Sequence, residues 1–325
     1  MPPSQRCCFF SFDYLDLDVF LNVTTFYRLA GYRVVNSRQL ASCNLAILLR
    51  GRPPRVFPEF LGTLHFYDYV CEHSFDPRDY FPNASAIFVV SLVAPEEARS
   101  DVRLIYGYIP VLPELWQFSL PFSRSKNLPL HISNYKPLLN DLYQDQLVQL
   151  IRTGKVKVYG SRWDRIQLRA RPLSYLAANC VLASSQVCFG LMYPYQRGQS
   201  LSGRMWQAPL QGCIVLSEAA TNLFHCPGVI ELEEYTESSI PASTSSAELA
   251  TISATFWRHQ THELATALGL TLRASRLRQE VIRVRLLLVA QHLEFIWSYY
   301  IQSTYVRYKR RLIVVIKQIS RMVLP

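Results

Sequence analysis

Residues suited to holding an anion gather in the stretch SLSGRMWQAPLQG, Ser200 to Gly212. A helix that begins near Arg204 presents free N–H groups and a partial positive charge at its N-terminus. Ser202 can cap it, and Gly203 lets a phosphate oxygen come close to the backbone. Arg204 adds a permanent charge with planar donors matched to phosphate. Residues three apart are neighbours on a helix, so Gln207 shares the face of Arg204 and reaches an adjoining polar group. The stretch therefore reads as a diphosphate site, and equally as a capped helix with a solvated arginine. Gly212 reads as the terminator of that helix.

Further candidates lie where apolar runs end. After VKVYG come Ser161, Arg162 and Trp163, an arginine for phosphate beside an aromatic that stacks on a base or packs in a core. SNYK offers Asn134 and Lys136 as hydrogen-bond donors to a ligand, with helix capping as the other use of Asn134. YPYQRGQS carries Arg197 in a polar loop. A base that takes a proton from an attacking hydroxyl is sought in Asp13, at the end of the first apolar run, or in His73. Asp13, Asp16 and Asp18 suggest a metal, but acids entering a helix are favoured by its dipole, and no second ligand cluster accompanies them. The histidines lack ligand spacing, so no metal is expected. Phosphate-loop, dinucleotide and nucleophile-elbow signatures are absent from the sequence.

The elements that must position these residues alternate. RCCFFSF, YRVVNS, NLAILL, TLHFYDYV and AIFVVSLV are short apolar runs, with LDVFLNVTTFYRLAG helical between the first two. LPELWQFSLPFSRSKNLP breaks the rhythm near residues 115–127. It then resumes: LHIS, a helix in KPLLNDLYQDQLVQLIRTG with Pro137 near its start, VKVYGS, the helical LSYLAANCVLASSQ, VCFGLMY, the Arg204 helix, CIVLSE and VIELE. Continuous apolar strands alternating with helices predict an α/β fold of two Rossmann-like, doubly wound domains facing a cleft. The boundaries read as 1–125, 126–247 and a basic helical region, 248–325, with SSIPASTSSA as the joint.

Length and composition agree. A chain of 325 residues, half of them hydrophobic, suits two domains of about 150 residues. The +10 charge is uneven: −1 over residues 1–125, +2 over 126–272 and +9 over 273–325. Basicity concentrated in the tail argues against nucleic acid as a partner of the folded face. It predicts instead that Arg273 to Pro325, with Arg307 to Arg311 as a cationic patch, contacts an anionic membrane surface peripherally, or packs back on the first domain. The N-terminus has no leader pattern, the apolar C-terminal stretch is interrupted by His292 and Glu294, and eight cysteines occur without a C-x-x-C pair. A cytoplasmic protein is expected.

VKVYGSRW, VCFGLMYPYQRGQSLSGRMWQAPLQGCIVLSE and NLFHCPGVIELEEYTE, in that order over residues 128–237, resemble the C-terminal domain of GT-B glycosyltransferases, in particular the spore-maturation-protein-like branch. The resemblance implies a nucleotide-sugar donor as co-substrate on the second domain. The acceptor, a glycan, lipid or protein hydroxyl, would lie on the first, as in polysaccharide biosynthesis. It implies metal-independent transfer, without a cofactor. It also places Asn134, Lys136, Arg162, Trp163, Arg197, Ser202, Gly203, Arg204 and Gln207 on the donor side. Many members carry a glutamate that bonds the ribose where this chain has Gln207, so Gln207→Glu is expected to preserve or improve donor binding. A catalytically silent glycan- or partner-binding protein and a nucleotide-sugar epimerase are the alternatives on the same architecture.

Overall fold

The computed structural model describes residues 6–11, 16–35, 37–50, 52–69, 75–92, 101–117, 128–135, 141–192, 197, 201–218, 224–232 and 245–302. Asp13, His73, Lys136 and the Arg307 to Arg311 patch lie outside these residues.

Two parallel sheets form the frame. The first contains β1 (Arg6–Ser11), β2 (Arg33–Val35), β3 (Leu45–Arg50), β4 (Thr63–Asp68), β5 (Ala86–Ser91) and β6 (Val102–Tyr106), in the order β2-β1-β3-β4-β5-β6. The second contains β7 (Leu130–Ile132), β8 (Lys157–Tyr159), β9 (Val187–Phe189), β10 (Ile214–Ser217) and β11 (Val229–Glu231), in the order β11-β10-β9-β7-β8. Every pairing is parallel. The central strands are apolar on both faces because helices cover both: residues 45–49 of β3 are all buried. Periodicity does not reveal β6, whose Arg103 and half-exposed residues mark a sheet edge rather than a buried run.

The helices are α1 (Leu17–Leu29), α2 (Pro77–Tyr80), α3 (Pro113–Trp116), α4 (Leu142–Arg152), α5 (Tyr175–Ala183), α6 (Arg204–Leu210), α7 (Ser246–Ala267) and α8 (Ala274–Ile296). One correction concerns α4. It starts at Leu142, not near Pro137, because the Asp141 carboxylate accepts the N–H groups of Tyr143 and Gln144 and so caps it.

The order of strands fixes where a ligand can sit. The first sheet reverses direction of growth between β1 and β3, the second between β7 and β9, and crevices open at the carboxyl ends of strands at such points. Those ends face one another across the domains. A single apolar core joins them, running from Val19, Phe26 and Trp116 to Met205, Trp206 and Leu210, and on through Trp257 of α7 to Val284 and Leu288 of α8. Thr261 bonds Val111, and Arg273 N–H donates to the Leu29 carbonyl, so the C-terminal helices pack on the first domain. No described helix is long and apolar enough to cross a membrane.

Candidate active site in the interdomain cleft

A cleft of about 820 Å³ lies between the two sheets. The first domain lines it with Asp16, Asp18, Tyr69 and Tyr108. The second contributes the turns after β7 and β9 and the start of α6.

Asp18 is the acid that sequence reasoning missed as a base. It sits in the first turn of α1, where a helix dipole favours an acid, and that bland role is why its spacing carried no signal. Folding buries it to 5% exposure at the cleft wall. Desolvation, and after it the charge of Asp16, push its pKa from 3.8 up to about 6, against a smaller downward pull from Arg204. Its Oδ2 accepts from the Gln207 side-chain amide, while Oδ1 is buried with no partner among the described residues.

Arg204 answers it from the other domain. Its Nε and Nη2 donate to the Ile132 carbonyl at 3.2 and 3.1 Å, and Nη1 donates to Gln207 Oε1. Three of the five guanidinium N–H groups are thus engaged, leaving two among the described contacts. The expected Arg204–Gln207 neighbourhood is present, but the amide spans from Arg204 to Asp18 and is 3% exposed. Gln207 is therefore a polar bridge between the domains. The helix entrance is also simpler than expected: Gly203 occupies the cap position, and Ser202 Oγ accepts the Arg204 N–H at 3.3 Å.

Asn134, Arg162, Trp163 and Arg197 line the same cleft, and polar groups of Asn134, Trp163 and Arg197 have partners there. Asn134 Oδ1 accepts from Ser161 N and Oγ at 2.9 and 2.8 Å. Arg162 adopts a left-handed backbone, φ 68°, and lines the cleft. Trp163 is 2% exposed, its indole N–H donates to the Ser133 carbonyl, and its ring packs between His131 and Tyr135. Arg197 forms ion pairs with Asp141 at 2.8 Å and Glu218 at 3.1 Å, two buried carboxylates. Neither acid was singled out from sequence, since a cap residue and a strand-end acid are common in themselves. His131 of β7 was also missed. Burial, and then the Arg204 charge, lower its pKa to about 4, so it is neutral at pH 7, with Nδ1 unpartnered among the described residues. No described cluster of His, Cys, Asp and Glu could hold a metal ion.

No protein-family model and no curated protein sequence matches the chain. Solved structures do. The DNA-modifying enzyme β-glucosyltransferase, solved with and without uridine diphosphoglucose, superposes with a TM-score of 0.52 at 10% identity, over 82% of this chain and all of that one. The chain has the GT-B fold. Looser likenesses are AviGT4, a glycosyltransferase of avilamycin A biosynthesis (TM-score 0.46, 13% identity, 86% of this chain and 98% of that one), and an α-glucosyltransferase bound to UDP-glucose and DNA (0.44, 10%, 80% and 94%). None of these comparisons singles out the spore-maturation branch. The expected exclusion of nucleic acid rests on charge distribution alone and is not supported by the comparisons, since the β-glucosyltransferase is a DNA-modifying enzyme.

Proposed function

We propose that this GT-B chain is a glycosyltransferase, moving a sugar from a nucleotide-sugar donor to an acceptor hydroxyl. The observation that carries the reading is the pairing of Asp18 and Arg204 across the cleft: a buried carboxylate with a free oxygen on one domain and a cation with spare donors on the other. Displacement at an anomeric carbon needs both. A base takes the proton of the attacking hydroxyl, and a cation offsets charge growing on the departing diphosphate. In this reading Asp18 Oδ1 is the base, supplementing Asp13 and His73, and Arg204 meets the diphosphate, with Arg162 and the Asn134 turn on the donor side. Attack from the face opposite the leaving group inverts the anomeric centre.

A uridine diphosphate sugar is the first donor to test, because the glucosyltransferase of similar fold was solved with one. DNA joins glycans, lipids and proteins in the acceptor panel for the same reason. The deciding experiment is a thermal-shift screen of nucleotide sugars, followed by product analysis with the stabilising donor and each acceptor. Nucleotide release coupled to an acceptor bearing an inverted linkage is the expected result. Stabilisation without turnover would leave a silent binding protein, and acceptor-independent conversion of the donor to its epimer would replace the reading with an epimerase.

A further inference from the structure

The outer face of α8 is apolar where solvent should make it polar. Val284 and Leu288 point into the core and are fully buried. Ile282, Leu286, Val289, Leu293 and Trp297 recur at steps of four, three, four and four, which at about 100° per residue places them on one stripe opposite that core face. Their exposures are 53, 65, 45, 61 and 61%. A helix that is apolar on two opposite faces has two apolar partners, and the described residues supply only one.

Charge decides what the second partner is. Exposed Arg276 flanks the stripe on one side and exposed Arg278 on the other, with Glu294 as the acid left to oppose them; Arg283 is paired with Glu280 and bonded to Thr25, and Arg285 donates to the Glu114 and Gln117 carbonyls of the first domain. The chain that follows, residues 303–325, holds six basic residues and no acid. A second copy laid on the stripe would set arginine against arginine, whereas an anionic lipid surface complements the arginines and receives the apolar stripe, with Trp297 at its end. We propose that the outer face of α8 docks on an anionic membrane surface, lying in its plane rather than crossing it. This deepens the expectation that the C-terminal region from Arg273 meets a membrane, and assigns the contact to named residues of α8 and to Trp297 just after it. His292, on the same helix, lies 2.6 Å from Ser174, which lines the cleft, so the helix that would dock touches the cleft wall.

The test uses the full chain and large vesicles of phosphatidylcholine, with or without about a third phosphatidylglycerol, in co-sedimentation at two salt concentrations. Binding to the anionic vesicles alone, weakened by salt, is expected, with a loss of about tenfold or more in Leu286→Glu/Leu293→Glu at unchanged melting temperature. If that double variant does not fold, brominated lipid in the wild type answers instead: quenching of tryptophan fluorescence that Trp297→Phe removes is expected. Equal, negligible pelleting with both vesicles overturns the proposal. So does undiminished binding by the folded double variant, or a dimer in sedimentation equilibrium that this variant abolishes while vesicles stay unbound. Vesicle binding requires no donor or turnover, so its failure and the failure of the glycosyltransferase reading are separate results.

Discussion

At the scale of single residues, Asp18 links activity to stability. In the folded chain it retains a proton from about pH 4 to about pH 6 that the unfolded chain, with an ordinary value of 3.8, has released. Folding stability therefore falls as pH rises through that window and stays reduced above it, by on the order of 3 kcal/mol at most. Asp18→Asn keeps an oxygen for the Gln207 amide and removes the charge, so it should raise the melting temperature at pH 7 while cutting turnover by about 100-fold or more. Calorimetry and initial rates on the same preparation check both signs, and wild-type rate should rise with pH through about 6 as the base ionises. Gln207→Glu tests the bridge. Its new carboxylate would meet Asp18 Oδ2, so two acids would compete for one proton in a buried site, and donor affinity should fall rather than improve. Arg204→Ala should weaken donor binding by roughly 10- to 150-fold, the worth of a charge-assisted phosphate bond. Titration calorimetry of both variants with the stabilising donor gives these numbers; unchanged affinity in Arg204→Ala removes the phosphate role.

At the scale of elements, the second domain's turns are held by contacts that leave no room for substitution. Gly160 follows β8 with φ 137°, and a Cβ there would fall 1.9 Å from the Ser133 carbonyl oxygen. Gly160→Ala must displace the Ser133–Asn134 turn that lines the cleft, at a cost of about 3 kcal/mol or more in urea unfolding. Arg197 works similarly on charge. It lies between Asp141, which caps α4, and Glu218, which follows β10 and accepts the Met192 N–H. Arg197→Met leaves two buried carboxylates facing each other and should destabilise by about 3–5 kcal/mol at pH 7. Burial already raises the Glu218 pKa, and losing the arginine raises it further, so part of that loss should return as pH falls and the acid protonates. Denaturant melts of the variant at pH 5 and 7 measure the difference.

For the whole molecule, the cleft is built on a shared core. Trp116 of the first domain meets Trp206 of the second edge to face at 5.4 Å, and the Tyr108 hydroxyl donates to the Leu201 carbonyl. Helix α8 runs from Thr25, which receives a bond from Arg283, to Ser174 at the entrance of α5. Contacts that cross domains in this way couple their stabilities. Scanning calorimetry should give one transition with equal calorimetric and van't Hoff enthalpies; two resolved transitions would show that the domains unfold separately.

Sequence by itself determined the architecture, because apolar runs long enough for buried strands and helical stretches between them admit few solutions besides covered parallel sheets. It also brought Arg204 and Gln207 together, since a spacing of three is a local property of any helix. What it did not determine were the relations between distant segments. Asp18 and Gln207 are 189 residues apart, and their contact exists only because strand order carries the ends of β1 and β7 to the same cleft. The same closure leaves Trp163 packed in the cleft wall, ties Arg197 to two acids, and turns α8 so that one apolar face is buried and the other is not. Burial also raised the Asp18 pKa, and burial is a property of the assembled core rather than of any local pattern.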